Sequence, residues 1–305
     1  MRRLKSISLL LFAIALILFG VNYYKEKVIE DQTGPVFHME SKIVEASVKD
    51  DEQALLNGLT AEDAKDGDVT GSIIVENVSP FTGTGRRIVT YAAFDSDNHV
   101  THEKRELEYT DYEASHFHLS KPLSFAMNAT NLLDGITVED CIDGDLTKNI
   151  RMMSDEDIDT AHVGEYKARL KVTNSAGGVS YLPVTIEIYD ASVKYKQPQI
   201  KLSENVVYIE RGSYFDEEEY LESIVVDGTE YSLTDERASY GASALAKNLI
   251  EDSIGYNDVS IESDVDTEET GYYEVVYSFD DYEYDTGTGK ARLYVVVTEG
   301  RAGLE

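Results

Sequence analysis

The sequence predicts an all-β chain in which three tandem β-sandwich modules follow an N-terminal transmembrane helix, the third module carrying a short helical insertion. Two observations predict the sandwiches and a third predicts the helix. First, Leu55-Leu56-Asn57-Gly58-Leu59-Thr60-Ala61-Glu62-Asp63-Ala64-Lys65-Asp66-Gly67-Asp68-Val69-Thr70 recurs 77 residues later as Leu132-Leu133-Asp134-Gly135-Ile136-Thr137-Val138-Glu139-Asp140-Cys141-Ile142-Asp143-Gly144-Asp145-Leu146-Thr147. Leu-Leu-x-Gly, Glu-Asp and Asp-Gly-Asp-x-Thr keep their spacing over sixteen positions, which marks a duplicated module. Second, 21 Tyr, no Trp and five Pro accompany many Val, Ile and Thr, side chains that suit a pleated, half-buried surface. Third, an uncharged run lies between basic residues close to the start.

That run is Ser6 to Tyr24, preceded by Arg2, Arg3 and Lys5 and closed by Lys25. At 1.5 Å per residue it spans about 28 Å, near the thickness of a bilayer's hydrocarbon core. The basic flank predicts a cytoplasmic N-terminus and an extracellular remainder. A cleaved signal peptide would need small residues after the run, but Ala13-Ile14-Ala15 lies in its middle, so an uncleaved, single-pass anchor over residues 1–27 is expected.

Residues 28–34 read as a polar spacer. Module one, 35–111, shows strand patterns at Val36–Met39, Ile43–Val48, Ile73–Val78, Ile88–Phe94 and Glu103–Tyr109, with Asp95-Ser96-Asp97-Asn98 as a turn. Module two, 112–190, contains the strand Gly164–Val172. There Tyr166, Ala168, Leu170 and Val172 alternate with Glu165, Lys167, Arg169 and Lys171, as expected of a sheet with one covered face. After a linker at 191–199, module three, 200–298, repeats the alternation as Tyr273, Val275, Tyr277 and Phe279 following Gly271; module one does so as Val89, Tyr91 and Ala93 after Gly85, with Arg87 breaking the pattern. Module three keeps only Asp227-Gly228 of the acidic run. Its insertion, 230–264, predicts a helix near 242–251 from Ala242, Leu245, Leu249 and Ile250, and Asp216–Glu219 predicts a single helical turn. Residues 299–305 are a tail.

The acidic Asp-Gly-Asp-apolar-Thr run, the Gly-x-Tyr-x-apolar-x-apolar strand, the Asn/Asp-Gly turn and the β-rich closing strand together resemble the bacterial immunoglobulin-like modules found in tandem on Gram-positive surface proteins and in some pesticidal crystal proteins. The resemblance covers 35–190 well and 200–298 weakly. It implies immunoglobulin-like sandwiches used as spacer, adhesive or carbohydrate-proximal modules, and it does not fix a function.

Formal charge is −31, and beyond residue 27 it is −35, from 22 basic and 57 acidic residues. That field disfavours nucleic acid and suits cations. The candidate metal ligands are Asp63, Asp66 and Asp68, with Asp140, Asp143 and Asp145, because hard oxygens at this density suit Ca²⁺. The competing reading has them shape tight turns, with Gly67 and Gly144 at positive φ. His116 with His118, and His99 with His102, lack a third ligand at usable spacing and read as exposed histidines. Cys141 sits among carboxylates that raise a thiol pKa, which argues against a nucleophile. Gly-x-Ser-x-Gly, His-Glu-x-x-His and phosphate-loop motifs are absent from the sequence. The expectation is a non-catalytic surface spacer, adhesion or binding module, meeting the membrane through residues 6–24 and a cell-wall component, surface protein or glycan beyond it. The alternative is a non-catalytic accessory subunit of an envelope enzyme or secretion complex, docking through module three.

Overall fold

The computed structural model describes residues 2–24, 33–82, 85–234, 253–281 and 287–299. The helix expected near 242–251 and most of the spacer and tail lie outside the described residues.

Helix α1 covers Arg2–Tyr24. Its stretch Ile7–Tyr24 holds no Asp, Glu, Lys or Arg and is long and apolar enough to cross a membrane. Among the described residues, the strands that follow build β-sandwiches, and one topology occurs three times, the third copy with an added edge strand.

In the first sandwich β1 (Val36–Met39), β3 (Leu59–Asp63) and β4 (Gly67–Asp68) form one sheet. The other sheet orders β2 (Ile43–Ala46), β7 (Val100–Tyr109), β6 (Arg87–Phe94) and β5 (Ile74–Val78). The second sandwich repeats this. One sheet has β8 (His116–Leu119), β10 (Ile136–Asp140) and β11 (Gly144–Asp145), and the other orders β9 (Ser124–Ala126), β14 (Val179–Tyr189), β13 (Gly164–Thr173) and β12 (Arg151–Met153). In the third, β15 (Gln199–Leu202), β17 (Leu221–Val226), β18 (Thr229–Thr234) and β19 (Ser253–Gly255) face β16 (Val206–Glu210), β22 (Gly287–Thr298), β21 (Gly271–Asp281) and β20 (Ser260–Ser263). In each sandwich a short early strand runs parallel to the last one: β2 with β7, β9 with β14, β16 with β22.

The alternating positions fill the cores as their period requires. Tyr91, Leu170 and Tyr277, each six residues after the aligned glycine, are fully buried. The Tyr91 hydroxyl donates to Leu55 O (2.8 Å), and that of Tyr277 to Glu217 O (2.7 Å), so neither phenol is buried unpaired. Gly164 and Gly271 leave room for the ring of the tyrosine two residues on, which a Cβ would meet at 3.4 and 3.3 Å. Tyr166 and Tyr273 then donate to the carbonyls of His162 (3.2 Å) and Glu269 (2.8 Å), four residues upstream, a tyrosine corner of the immunoglobulin type. Arg87 stands at this position in the first sandwich. Its Nε donates to Ser79 O (2.7 Å) and its guanidinium lies over Phe81, so a charged residue closes the corner there.

Two compact units partition the chain, Met1–Tyr112 and Glu113–Glu305. The second and third sandwiches therefore belong to one unit, and the segment between them, expected as a linker, forms the single helical turn α2 (Ala191–Lys194) capped by Asp190. Val206, Tyr294 and Val296 of the third sandwich join the core of the second. Tyr208 accepts the Phe117 N–H (2.7 Å) and stacks on His116 at 4.1 Å between centroids, while Asn205 Nδ2 donates to Leu119 O (3.2 Å). Arg292 bonds Glu165 Oε1 at 2.6 Å, and its Nε pairs with Glu274 Oε1 at 3.2 Å without hydrogen-bond alignment. Glu274 also accepts from Thr185 Oγ1 (2.8 Å).

Tyr294 is 4% exposed, and its hydroxyl accepts from Thr185 N (3.0 Å) and donates to Thr185 O (3.1 Å). Tyr294→Phe leaves both backbone groups buried and unpaired, so urea denaturation should show unit two weakened by about 1–3 kcal/mol.

Candidate functional site

The duplicated acidic run folds identically in both copies. The chain leaves β3 at Asp63 and re-enters as β4 at Gly67, with Asp63 opposite Gly67; β10 and β11 repeat this with Asp140 opposite Gly144. Three residues bridge each hairpin, and the glycine that ends it sits at φ 74° or 70°, where a Cβ is strained. Asp63 Oδ1 accepts the N–H groups of Lys65 and Asp66, both at 2.9 Å, and Asp140 Oδ1 those of Ile142 (2.9 Å) and Asp143 (3.0 Å).

The remaining motif residues each have a separate partner. Asp66 receives the amide (2.7 Å) and hydroxyl (2.9 Å) of Ser96, and Asp143 receives those of Ser175 at 2.5 and 2.6 Å, which ties the hairpin to the turn between the two longest strands. Asp68 and Asp145 each accept the N–H of the threonine two residues on, at 2.9 Å. Those threonine hydroxyls accept from Ala61 N and Val138 N, both at 3.1 Å. In this way Asp-Gly-Asp-x-Thr is a self-bonded corner, and the expected ligands Asp63, Asp66 and Asp68 point at different donors, as do Asp140, Asp143 and Asp145. Among the described residues no three acidic, His or Cys side chains gather so as to hold a metal ion. Asp227-Gly228 lies at the corresponding hairpin of the third sandwich, reduced to a two-residue turn with both φ angles positive.

Asp140 is buried, and its Oδ2 accepts from Ser115 Oγ (2.6 Å) and Asn174 Nδ2 (3.1 Å). Burial alone would push this carboxyl up, but the Ser115 hydroxyl, the two hairpin amides and Asn174 together hold it below the usual carboxylate range. The Thr70 and Thr147 hydroxyls and amides likewise lower Asp68 and Asp145. Neither Ser115 nor Asn174 was a candidate from sequence, and the first copy has Pro35 and Asp95 in their places, so comparing the copies does not single them out.

His116 is half-buried against Tyr208 instead of exposed, and burial pushes its pKa down. The Cys141 thiol is raised as expected, though chiefly by burial, with the carboxylates adding to it, and its Sγ donates to Glu113 O at 3.0 Å.

No protein-family profile matches the chain. It is 27% identical over 234 residues to the pesticidal crystal protein Cry22Aa of Bacillus thuringiensis, an alignment covering 73% of this chain and 27% of that protein, so the chain spans well under half of its relative's length. Similar solved structures include the CBM51-2 domain in complex with GlcNAc and INT domains from Clostridium perfringens ZmpB (17% identity, 48% of this chain and 26% of that one, TM-score 0.21). Another is the lipoprotein BT2262 from Bacteroides thetaiotaomicron (12% identity, 59% and 98%, TM-score 0.22). The protocadherin gamma B4 extracellular domain is a third (11% identity, 88% and 52%, TM-score 0.19). Superpositions this poor carry no functional argument.

Carboxyls lowered by folding contribute stability that is complete above the ordinary carboxylate pKa of about 4 and is lost as pH falls through their lower folded values. The melting temperature should therefore fall steeply between about pH 4 and pH 2. Asn174→Ala removes a donor to Asp140 and the acceptor for the Gly178 N–H (2.7 Å), and should cost about 1–3 kcal/mol at pH 7 in urea denaturation.

Proposed function

We propose that this chain is a non-catalytic protein held in the cell membrane by residues 6–24, presenting its immunoglobulin-like sandwiches outside the cell as a spacer, adhesion or binding module. The observation that carries this reading is the order of elements: an apolar helix of membrane-spanning length, then one β-sandwich topology used three times. Repeated sandwiches extend a chain by units and offer loops and sheet faces to a partner, here a cell-wall component, another surface protein or a glycan. The non-catalytic reading is supported by the fate of the acids most suggestive of chemistry, since Asp66, Asp140 and Asp143 spend their oxygens on turn amides and hydroxyls. Likeness to a stretch of a pesticidal crystal protein fits a module used in different settings.

Protease added to intact cells tests the topology. Everything after Lys25 should be digested while cytoplasmic markers survive. Protection of that region until the cells are lysed would overturn the reading.

A further inference from the structure

The two acidic corners share their backbone and differ in what surrounds the buried aspartate. Val36 pairs with Glu62 as His116 pairs with Glu139, so buried Pro35 occupies the place of Ser115. The turn after β6 closes through Asp95 N–H to His99 O and Asn98 N–H to Asp95 O. The turn after β13 closes the same way through Asn174, Gly178 and Gly177, so Asp95 occupies the place of Asn174. Both side-chain donors to the buried carboxylate have thereby been replaced, one by proline and the other by a second carboxylate.

The consequence is visible at Asp63. It is 6% exposed, its Oδ1 is held by two hairpin amides, and its Oδ2 is buried with no hydrogen-bond partner among the described residues. The Asp95 side chain is 1% exposed; its Oδ1 accepts the His99 N–H at 2.8 Å, and its Oδ2 faces His99 Nδ1 at 2.7 Å. Close by, Asp97 pairs with Lys65 at 2.6 Å, and Asp66 is held by Ser96. The first corner thus concentrates Asp63, Asp66, Asp95 and Asp97 against one lysine and one histidine. The corresponding residues of the second are Asp140, Asp143, Asn174 and Ala176. The Asn174 amide reaches Asp140 Oδ2 at 3.1 Å, and the same correspondence sets the Asp95 carboxylate toward Asp63 Oδ2, an arrangement that is unfavourable unless positive charge joins the two.

We propose that the first corner, and not the second, binds a hard divalent cation of the calcium or magnesium class through Asp63 Oδ2 and the Asp95 carboxylate, water completing the coordination. The donors are oxygen, which suits these ions over zinc or copper. Each carboxylate oxygen has two lone pairs, so Asp95 Oδ2 keeps one beside the one facing His99. In the second corner, Ser115 and Asn174 donate the hydrogen bonds that the ion would replace.

The test is calorimetric titration of the full chain in detergent micelles with CaCl₂ and, separately, MgCl₂, at ionic strength matched with NaCl. At least one ion should bind saturably at one site per chain. At about 100 times its Kd it should raise the melting temperature by several degrees over the NaCl control. Asp95→Asn, which supplies the donor found at Asn174, should abolish binding and melt higher than wild type without the ion; Asp63→Asn should also abolish binding. Asp145→Asn, in the second corner, should bind as wild type does. Four results would overturn the proposal: no saturable heat from either ion, equal melting in matched salts, binding that survives Asp95→Asn, or binding lost in Asp145→Asn. Without ion binding, a wild-type melting temperature that falls as pH rises from 5 to 8, with Asp95→Asn flat, would identify a shared proton at this place and also overturn it.

Discussion

At the end of the second sandwich one buried carboxylate, Asp140, ties together three pieces of chain. It accepts from its own hairpin, from Ser115 ahead of β8 and from Asn174 beyond β13, so it joins the two sheets where no ladder connects them. A charge in that position is stable only while its donors are in place, because the unpaired state is far costlier than the net gain of any single bond. Such a residue fixes geometry more than it adds stability. The hairpin must close with three residues, the glycine must take positive φ, and the far turn must present its amide at the right height. Asp143 and Ser175 then repeat the attachment on the solvent side.

The third sandwich keeps the topology without this device, and it is supported differently. Its hairpin has shrunk to Asp227-Gly228, and its strands β16 and β22 lean on the second sandwich through Val206, Tyr208, Tyr294 and Val296. The joint between these sandwiches is a mixture of core and polar network. Tyr208 is central to that mixture: its partly buried ring stacks on His116, its hydroxyl meets the Phe117 amide, and burial pushes its pKa up to about 12. Divergence of the third repeat from the acidic pattern therefore coincides with side chains that it lends to the core of its neighbour.

Most of the strand framework was legible because alternation of apolar and polar residues has one meaning in a sheet with one covered face; β13 and β21 are read from Tyr166–Val172 and Tyr273–Phe279 almost residue by residue. The motif's turn-forming character was legible for the same kind of reason, since glycine between aspartates has few conformational uses. What the sequence concealed were partners distant along the chain. Ser115 lies 25 residues from Asp140 and Asn174 lies 34 away, and no local pattern marks either as a donor to a buried acid. Arg87 read as a broken alternation, whereas its guanidinium stands where tyrosine stands in the other copies and donates to a different carbonyl, that of Ser79. His116 read as exposed because the strand β8 is short and polar, and only the neighbouring sandwich covers it.

The parallel pairing of an early strand with the final strand of each sandwich has a mechanical meaning. In the first, Ile43–Ala46 lies beside Glu106–Tyr109 with both running the same way, and in the third Val206–Glu210 lies beside Tyr294–Thr298. When a chain is pulled from its two ends, strands in this arrangement slide past one another along their length, so the load falls on the whole row of hydrogen bonds together. Antiparallel neighbours pulled from a shared edge would instead unzip, each bond breaking in turn. A sandwich of this topology resists tension in the direction in which a tether is stretched, and gives way by a single abrupt step when the row breaks.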